Sequence, residues 1–96
     1  VDEDALFTAI CDFRGGTYIS QIAAKDIERA VRAWADRIEQ SKDIPDASTE
    51  IANDARFHLD QLDIQPTAIS GFANVWCISG LADGDQVLVN FVQTAR

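Results

Sequence analysis

Apolar residues change their spacing twice along this chain, from every second residue to every third or fourth and back again. That succession of periods limits the fold more than any other feature. In Leu6-Phe7-Thr8-Ala9-Ile10-Cys11-Asp12-Phe13, the residues Phe7, Ala9, Cys11 and Phe13 share one face. Leu6, Thr8, Ile10 and Asp12 share the other, as side chains do on a strand. Arg14-Gly15-Gly16 follows, and the paired glycines predict a tight hairpin turn because they supply backbone angles with φ > 0. Thr17-Tyr18-Ile19-Ser20-Gln21-Ile22-Ala23 is rich in β-branched and aromatic residues, so residues 5–23 read as a β-hairpin.

The period then lengthens. Ile27, Val31, Trp34 and Ile38 fall at intervals of four, three and four, with Ala30 and Ala35 beside them. This is one face of an amphipathic helix, predicted from Asp26 to Gln40 with Trp34 as its core anchor. Asp26 and Glu28 suit the positive end of its dipole. Ser41 to Ala47 reads as a linker broken by Pro45. A second helix is expected from a cap at Asp46 or Ser48 to about Asp63, with Ile51, Ala55, Leu59 and Leu62 as its buried stripe and Ala52 and His58 alongside. Pro66 opposes helical geometry before it, and Pro66 to Gly71 reads as a loop. Phe72 to Ser79 and Gln86 to Gln93 read as strands joined by the turn Ala82-Asp83-Gly84-Asp85, whose Asp-Gly pair is the strongest part of the signal. The expected order is β-β-α-α-β-β: an α+β domain spanning 1–96, with a four-stranded antiparallel sheet covered on one face by two helices. The other face is left to Tyr18, Trp76 or Leu88, depending on register; exposed together, such residues would suit a partner or a homodimer.

Charge narrows the function classes. Sixteen acidic residues against eight basic ones give a net charge of −8. That opposes direct nucleic-acid binding, which needs cations to displace counterions from phosphates, and it opposes anionic membrane surfaces. It suits a basic protein partner, although acidity also serves solubility alone. No apolar run approaches the roughly 18 residues of a membrane span. The start Val1-Asp2-Glu3-Asp4 has the wrong charge for a secretory signal, while the missing initiator Met leaves a removed targeting segment open. Cys11 and Cys77 both lie in apolar runs and read as two reduced core thiols, which points weakly to the cytoplasm; one bridge between the hairpins is the minor alternative.

No motif for catalysis, cofactor binding or metal binding stands out. His58, the single histidine, would be a general base if it met Cys11 or Cys77, but a half-buried helix histidine is the simpler reading. One histidine and two distant cysteines lack zinc-ligand spacing. Asp54, Asp60 and Asp63 do not follow a calcium-loop pattern and read as a solvated helix face. Gly15-Gly16 leads into a strand and not into a helix N-terminus, so it is no phosphate loop. Acidic residues near aromatic ones remain as candidate partner-binding residues: Tyr18, Asp54, Asp60, Asp63 and Trp76.

Phe13-Arg14-Gly15-Gly16-Thr17-Tyr18-Ile19-Ser20-Gln21, the helix bearing Ala30 and Trp34, and the later Asn74-Val75-Trp76-Cys77 resemble a family of small uncharacterised bacterial proteins. These stretches touch both hairpins, and they imply structure more than mechanism. The strand, glycine turn, strand and helix at the N-terminal end also resemble HicB-type antitoxins, from which the chain departs after the first helix. In size and charge alone it resembles immunity proteins, which neutralise basic toxins. The resulting expectation is a non-catalytic protein-binding domain, in its most concrete form an immunity- or antitoxin-like inhibitor of a basic protein. The alternatives are a small ligand-binding domain or enzyme with a pocket between helices and sheet, and a homo-oligomeric structural domain.

Overall fold

Alternation, helical periodicity and turn chemistry place every main element close to its expected position. A computed structural model describes residues 4–95; the acidic Val1-Asp2-Glu3 start lies outside the described residues. The elements are β1 (Ala5–Phe13), β2 (Gly16–Ala24), α1 (Ile27–Ser41), α2 (Ser48–Asp60), β3 (Thr67–Ala68), β4 (Val75–Ala82) and β5 (Asp85–Ala95). They form one antiparallel sheet in the order β2-β1-β5-β4-β3, with the first and the last long strands paired at its centre.

Both hairpins close through two-residue turns with positive φ at both central positions: Arg14 (51°) with Gly15 (79°), and Asp83 (51°) with Gly84 (81°). This is the mirror-image turn whose twist matches that of paired strands. The first turn therefore differs from the Gly15-Gly16 turn expected from the sequence. Gly16 is already in β2, opposite Phe13, and Arg14 takes the left-handed position. Arg14 is held there by the other hairpin: its Nε donates to Asp85 Oδ2 at 2.6 Å and its Nη2 to Asp83 Oδ2 at 2.8 Å.

Asp26 caps α1 by accepting from the Arg29 N–H at 2.9 Å, and Lys42 ends the helix in the left-handed region, donating its N–H to the Ile38 carbonyl. Of the expected stripe, Val31, Trp34 and Ile38 are buried together with Ala30 and Ala35, whereas Ile27 at the first turn is only partly buried. Trp34 meets Phe91 edge to face at 5.7 Å, a favoured aromatic geometry. The linker contributes to the core as well, because Ile44 and Ala47 are buried.

Three expectations need correction. Helix α2 has Ala47 at its N-cap and no side-chain cap there; Asp46 is left-handed, and Ser48 reaches back to bond both the N–H and the carbonyl of Ile44. The helix also stops at Asp60. Beyond it Asp63 turns left-handed, Ile64 donates back to the His58 carbonyl, and Leu62 is left 48 % exposed instead of joining the stripe. Finally the sheet has five strands, not four. Thr67 and Ala68, expected in a loop, pair with Cys77 and Trp76, while Phe72-Ala73-Asn74 precede the strand they were expected to open. Two residues are too short a run for alternation to signal.

Trp34 is only 1 % exposed, and it joins helix to sheet. Trp34→Ala is expected to lower unfolding stability by about 3–5 kcal/mol, read as a fall in the urea midpoint with an unchanged slope.

Candidate functional site

Register decides which side chains the sheet offers. Phe7, Ala9, Cys11, Val87, Val89 and Phe91 are buried beneath the helices. By alternation, Leu6, Thr8, Ile10 and Asp12 of β1 and Leu88, Asn90 and Val92 of β5 point to the uncovered face, with Ile19 of β2 and Val75, Cys77 and Leu81 of β4 beside them. Ile19 lies directly across from Ile10 and is 65 % exposed, and Leu81 is 61 % exposed. Asp12, which accepts from the Thr17 hydroxyl at 2.8 Å, is the single charged side chain on this face among the described residues.

Tyr18 and Trp76 are not there. Tyr18 is paired with Cys11, and Trp76 with Phe91, so both lie on the helix-covered side. The Tyr18 ring lies over Gly16, where an added Cβ would come within 2.6 Å of its hydroxyl oxygen. Trp76 packs against Phe7 at 5.8 Å. They sit on different strands, separated by β1 and β5. Of the three residues considered for the open face, register leaves Leu88.

The three aspartates also have separate surroundings. Asp60 accepts from Arg32 at 2.7 Å, and that hydrogen bond holds its carboxyl below the usual carboxylate range. Asp63 is exposed beyond the helix end. Asp54 faces the sheet: its Oδ2 accepts from the Leu81 N–H at 3.3 Å and lies 3.5 Å from His58 Nδ1. One turn earlier Glu50 accepts from the Asp83 N–H at 2.7 Å. Four helical residues rise about 6 Å and two strand residues about 6.8 Å, so α2 can address alternate residues of the β4 edge. Gly80 is required for this, because a Cβ there would collide with Asp54 Oδ2.

His58 comes next on the same side of α2, and Ser79 next along the edge. His58 Nδ1 is 2.8 Å from the Asp54 carbonyl, which can only accept, so Nδ1 carries the proton and Nε2 is left as an acceptor in the neutral ring. Ser79, the Cys77–Ser79 stretch, His58, Gln65 and Thr67 line a cleft of about 210 Å³ with an apolar floor of Val31, Ala55, Leu59 and Ile78. Sequence reasoning missed this arrangement, since its signal, Gly80 opposite a helix, needs the tertiary register.

Cys11 and Cys77 are both free. They occupy opposite faces of the sheet, which removes the alternative of a bridge. Cys11 is a core residue, and burial pushes its thiol up to about 12. Cys77 is only half-buried, unlike the core thiol expected; burial raises its thiol too. Cys77 borders the His58 cleft, whereas Cys11 is enclosed in the core. No bond joins His58 to either thiol, and no group of three metal-ligating side chains is present among the described residues. Among those residues, too, no helix is long and apolar enough to cross a membrane.

Compared with known proteins, the chain matches no family model, no curated protein and no solved structure.

Two outcomes follow from this geometry. Gly80→Ala is expected to cost about 1–3 kcal/mol by expelling the Asp54 carboxylate and stripping the Leu81 N–H of its acceptor. In an Asp54→Ala background the same change should cost well under half as much, giving a coupling energy measurable by chemical denaturation. Second, iodoacetamide at pH 8 should modify Cys77 first and reach Cys11 only on unfolding. A thiol with a pKa near 12 is ionised there to roughly one part in ten thousand, and the core also shields it from the reagent. Mass spectrometry of the native and denatured protein distinguishes the two sites.

Proposed function

We propose that this chain is a non-catalytic protein-binding domain that offers the uncovered face of its sheet to a partner with a basic surface. The observation that carries the reading is the composition of that face. Leu6, Ile10, Leu88 and Val92 alternate over the two central strands with Thr8, Asn90 and Asp12. Ile10 stands opposite Asn90, Leu88 opposite Asp12 and Val92 opposite Thr8, and the exposed Ile19 and Leu81 flank them. A sheet face that mixes apolar and mostly uncharged polar side chains in this way is an ordinary site for a partner. Asp12 adds a carboxylate on the same face, where it accepts from the Thr17 hydroxyl.

Charge selects the kind of partner. A net charge of −8 on 96 residues attracts a basic protein and repels a second copy of this chain. An inhibitor of a basic protein, acting as immunity proteins or antitoxins do by covering a functional surface, is the most specific form of the proposal. It asks for a rigid face and a complementary field, and no chemistry from the domain itself.

Ile19→Asp and Leu81→Asp alter two side chains already in solvent, so the fold should tolerate both. The tagged chain, used as bait in extract of its native host at low salt, should retain a basic protein. The double variant should retain it at least about tenfold less well. About 1 M salt should weaken capture further by screening. Equal retention by the variant, capture of acidic proteins alone, or a dimer of the native chain that the double variant abolishes in light scattering would each overturn the reading.

A further inference from the structure

The β4 edge is closed along most of its length by groups from the same chain. Leu81 donates to Asp54, the Asp83 N–H beyond it donates to Glu50, Thr67 pairs with Cys77, and the Ile69 N–H donates to the Val75 carbonyl. Continuing the β3 register would set Gln65 against Ser79. Gln65 is outside the strand, and no backbone bond joins it to Ser79. The two-residue turn at Asp83-Gly84 fixes the alternation of β4. Ala82 exchanges bonds with Asp85, so the backbone groups of Leu81 and Ser79 point away from β5. The Leu81 bond to Asp54 agrees with that parity. Ser79 therefore directs one N–H and one C=O outward, and among the described residues no group bonds either of them.

The opening is a built site and not only a missing rung. Behind Ser79 lies the cleft with its floor of Val31, Ala55, Leu59 and Ile78, and at its rim His58 Nε2 is an uncommitted acceptor. Its volume of about 210 Å³ is below the roughly 300–1,000 Å³ of pockets for drug-sized ligands. It exceeds the engineered apolar cavity of about 150 Å³ that holds benzene. One amino-acid side chain is the right size. Two of the exposed large apolar residues border the same place: Ile64 lines the cleft, and the Phe57 ring lies edge-on to the His58 ring at 6.4 Å.

We propose that this cleft binds a single apolar amino-acid residue carrying a neutral backbone amide. The apolar side chain enters over Ile78, and the primary carboxamide beside it bonds Ser79 end-on, its oxygen accepting from the outward N–H and one of its N–H groups donating to the outward C=O. A residue paired with Ser79 as in a ladder would instead turn its side chain to the uncovered face, where Ser79 and Leu88 lie. Charge decides in favour of a neutral amide over a carboxylate. No lysine or arginine lines the cleft, Asp54 lies beside His58, and between Arg56 and Arg96 the chain has aspartates and no lysine or arginine. His58 Nε2 accepts a second amide hydrogen from a primary carboxamide. The source is either a free N-acylated amino-acid amide or the amidated end of a peptide, because the chain between Asp63 and Thr67 borders the cleft and blocks a strand running through. The site is distinct from the uncovered sheet face and stands or falls separately from it.

The test is a two-dimensional amide NMR titration of the full chain. The probes are N-acetyl-leucinamide, N-acetyl-leucine and a hexapeptide ending in leucinamide. The expected result is saturable shifts centred on Ile78, Ser79, Gly80 and His58 with the free amide, at a Kd on the order of 1 mM. The acid should bind several-fold more weakly. Tighter binding of the hexapeptide than of the free amide assigns the source to a peptide end, and equal or weaker binding assigns it to the small amide. Ala55→Leu, which fills the cleft, should abolish the shifts. Ser79→Pro deletes only the outward N–H at an edge position that accepts proline, and it should do the same if Ala55→Leu does not fold. Absence of saturable shifts up to about 10 mM, shifts that persist in a folded variant, or an acid that binds as well as the amide would overturn the proposal.

Discussion

The first and last long strands pair with each other at the centre of the sheet, from Leu6 opposite Ala95 to Phe13 opposite Val87. Each hairpin is local and closes through a two-residue turn, but neither can bury its apolar face alone. The β1–β5 ladder joins residues about eighty positions apart, so chain entropy opposes it and only a large reward at closure sustains it. The core supplies that reward. Ala9, Cys11 and Phe13 from β1 and Val87, Val89 and Phe91 from β5 are buried in one cluster with Trp34, Val31 and Ile38, and Phe7 is buried with Ala24 and Ala30 in a smaller one. Arg14 adds a second tie at the rim, since it reaches from the tip of one hairpin to both acidic residues of the other. The interaction is exposed and worth little as energy. The β1–β5 ladder, which sets Phe13 opposite Val87, already fixes the relative register of the two turns, and Arg14 bridges them.

Once that closure is made, the helices have to manage what the sheet leaves at its edges. On the outer strand β2, Arg37 of α1 donates to the Gln21 carbonyl at 3.2 Å. On the β4 side, Glu50 and Asp54 of α2 accept from the outward N–H groups. The charges are matched to the need: a cation meets a free carbonyl, and carboxylates meet free amides. Unpaired edge groups are templates for unwanted strand pairing, and side chains that occupy them suppress it. Ser79 escapes because the next residue along α2 on that side is histidine, whose ring turns its proton towards the helix's own Asp54 carbonyl.

The elements that carried periodic signals were readable in the sequence, and those that did not were missed for physical reasons. Alternation over β1 and the spacing of Ile27, Val31, Trp34 and Ile38 located the hairpin and α1 to within a residue or two. Where a helix ends is decided by a few backbone angles, so the left-handed turn at Asp63 hid the loss of Leu62 from the stripe. The pair Thr67–Ala68 becomes a strand only because β4 offers an edge. Ile44 is apolar in a segment of linker composition, and composition alone does not report burial. The face of Tyr18 and Trp76 depended on register, which is set by the turns. Tyr18 is set against the buried Cys11 and Trp76 against the buried Phe91, and those pairings put both aromatics on the covered side.

Acidity, the property most evident in the sequence, is distributed in the fold by a repeated arrangement. Three arginines each hold two carboxylates: Arg14 with Asp83 and Asp85, Arg32 with Glu28 and Asp60, Arg56 with Asp36 and Glu39. Each trio joins residues distant in sequence and still carries one surplus negative charge. These three cations are thereby committed to internal contacts on the hairpin tips and helices, and among the described residues no lysine or arginine lies on the uncovered strand faces. A partner approaching that face meets apolar side chains interleaved with Thr8, Asn90 and Asp12, surrounded by a field that remains negative. The same side chains that link separate elements therefore determine which sign of partner the domain can attract.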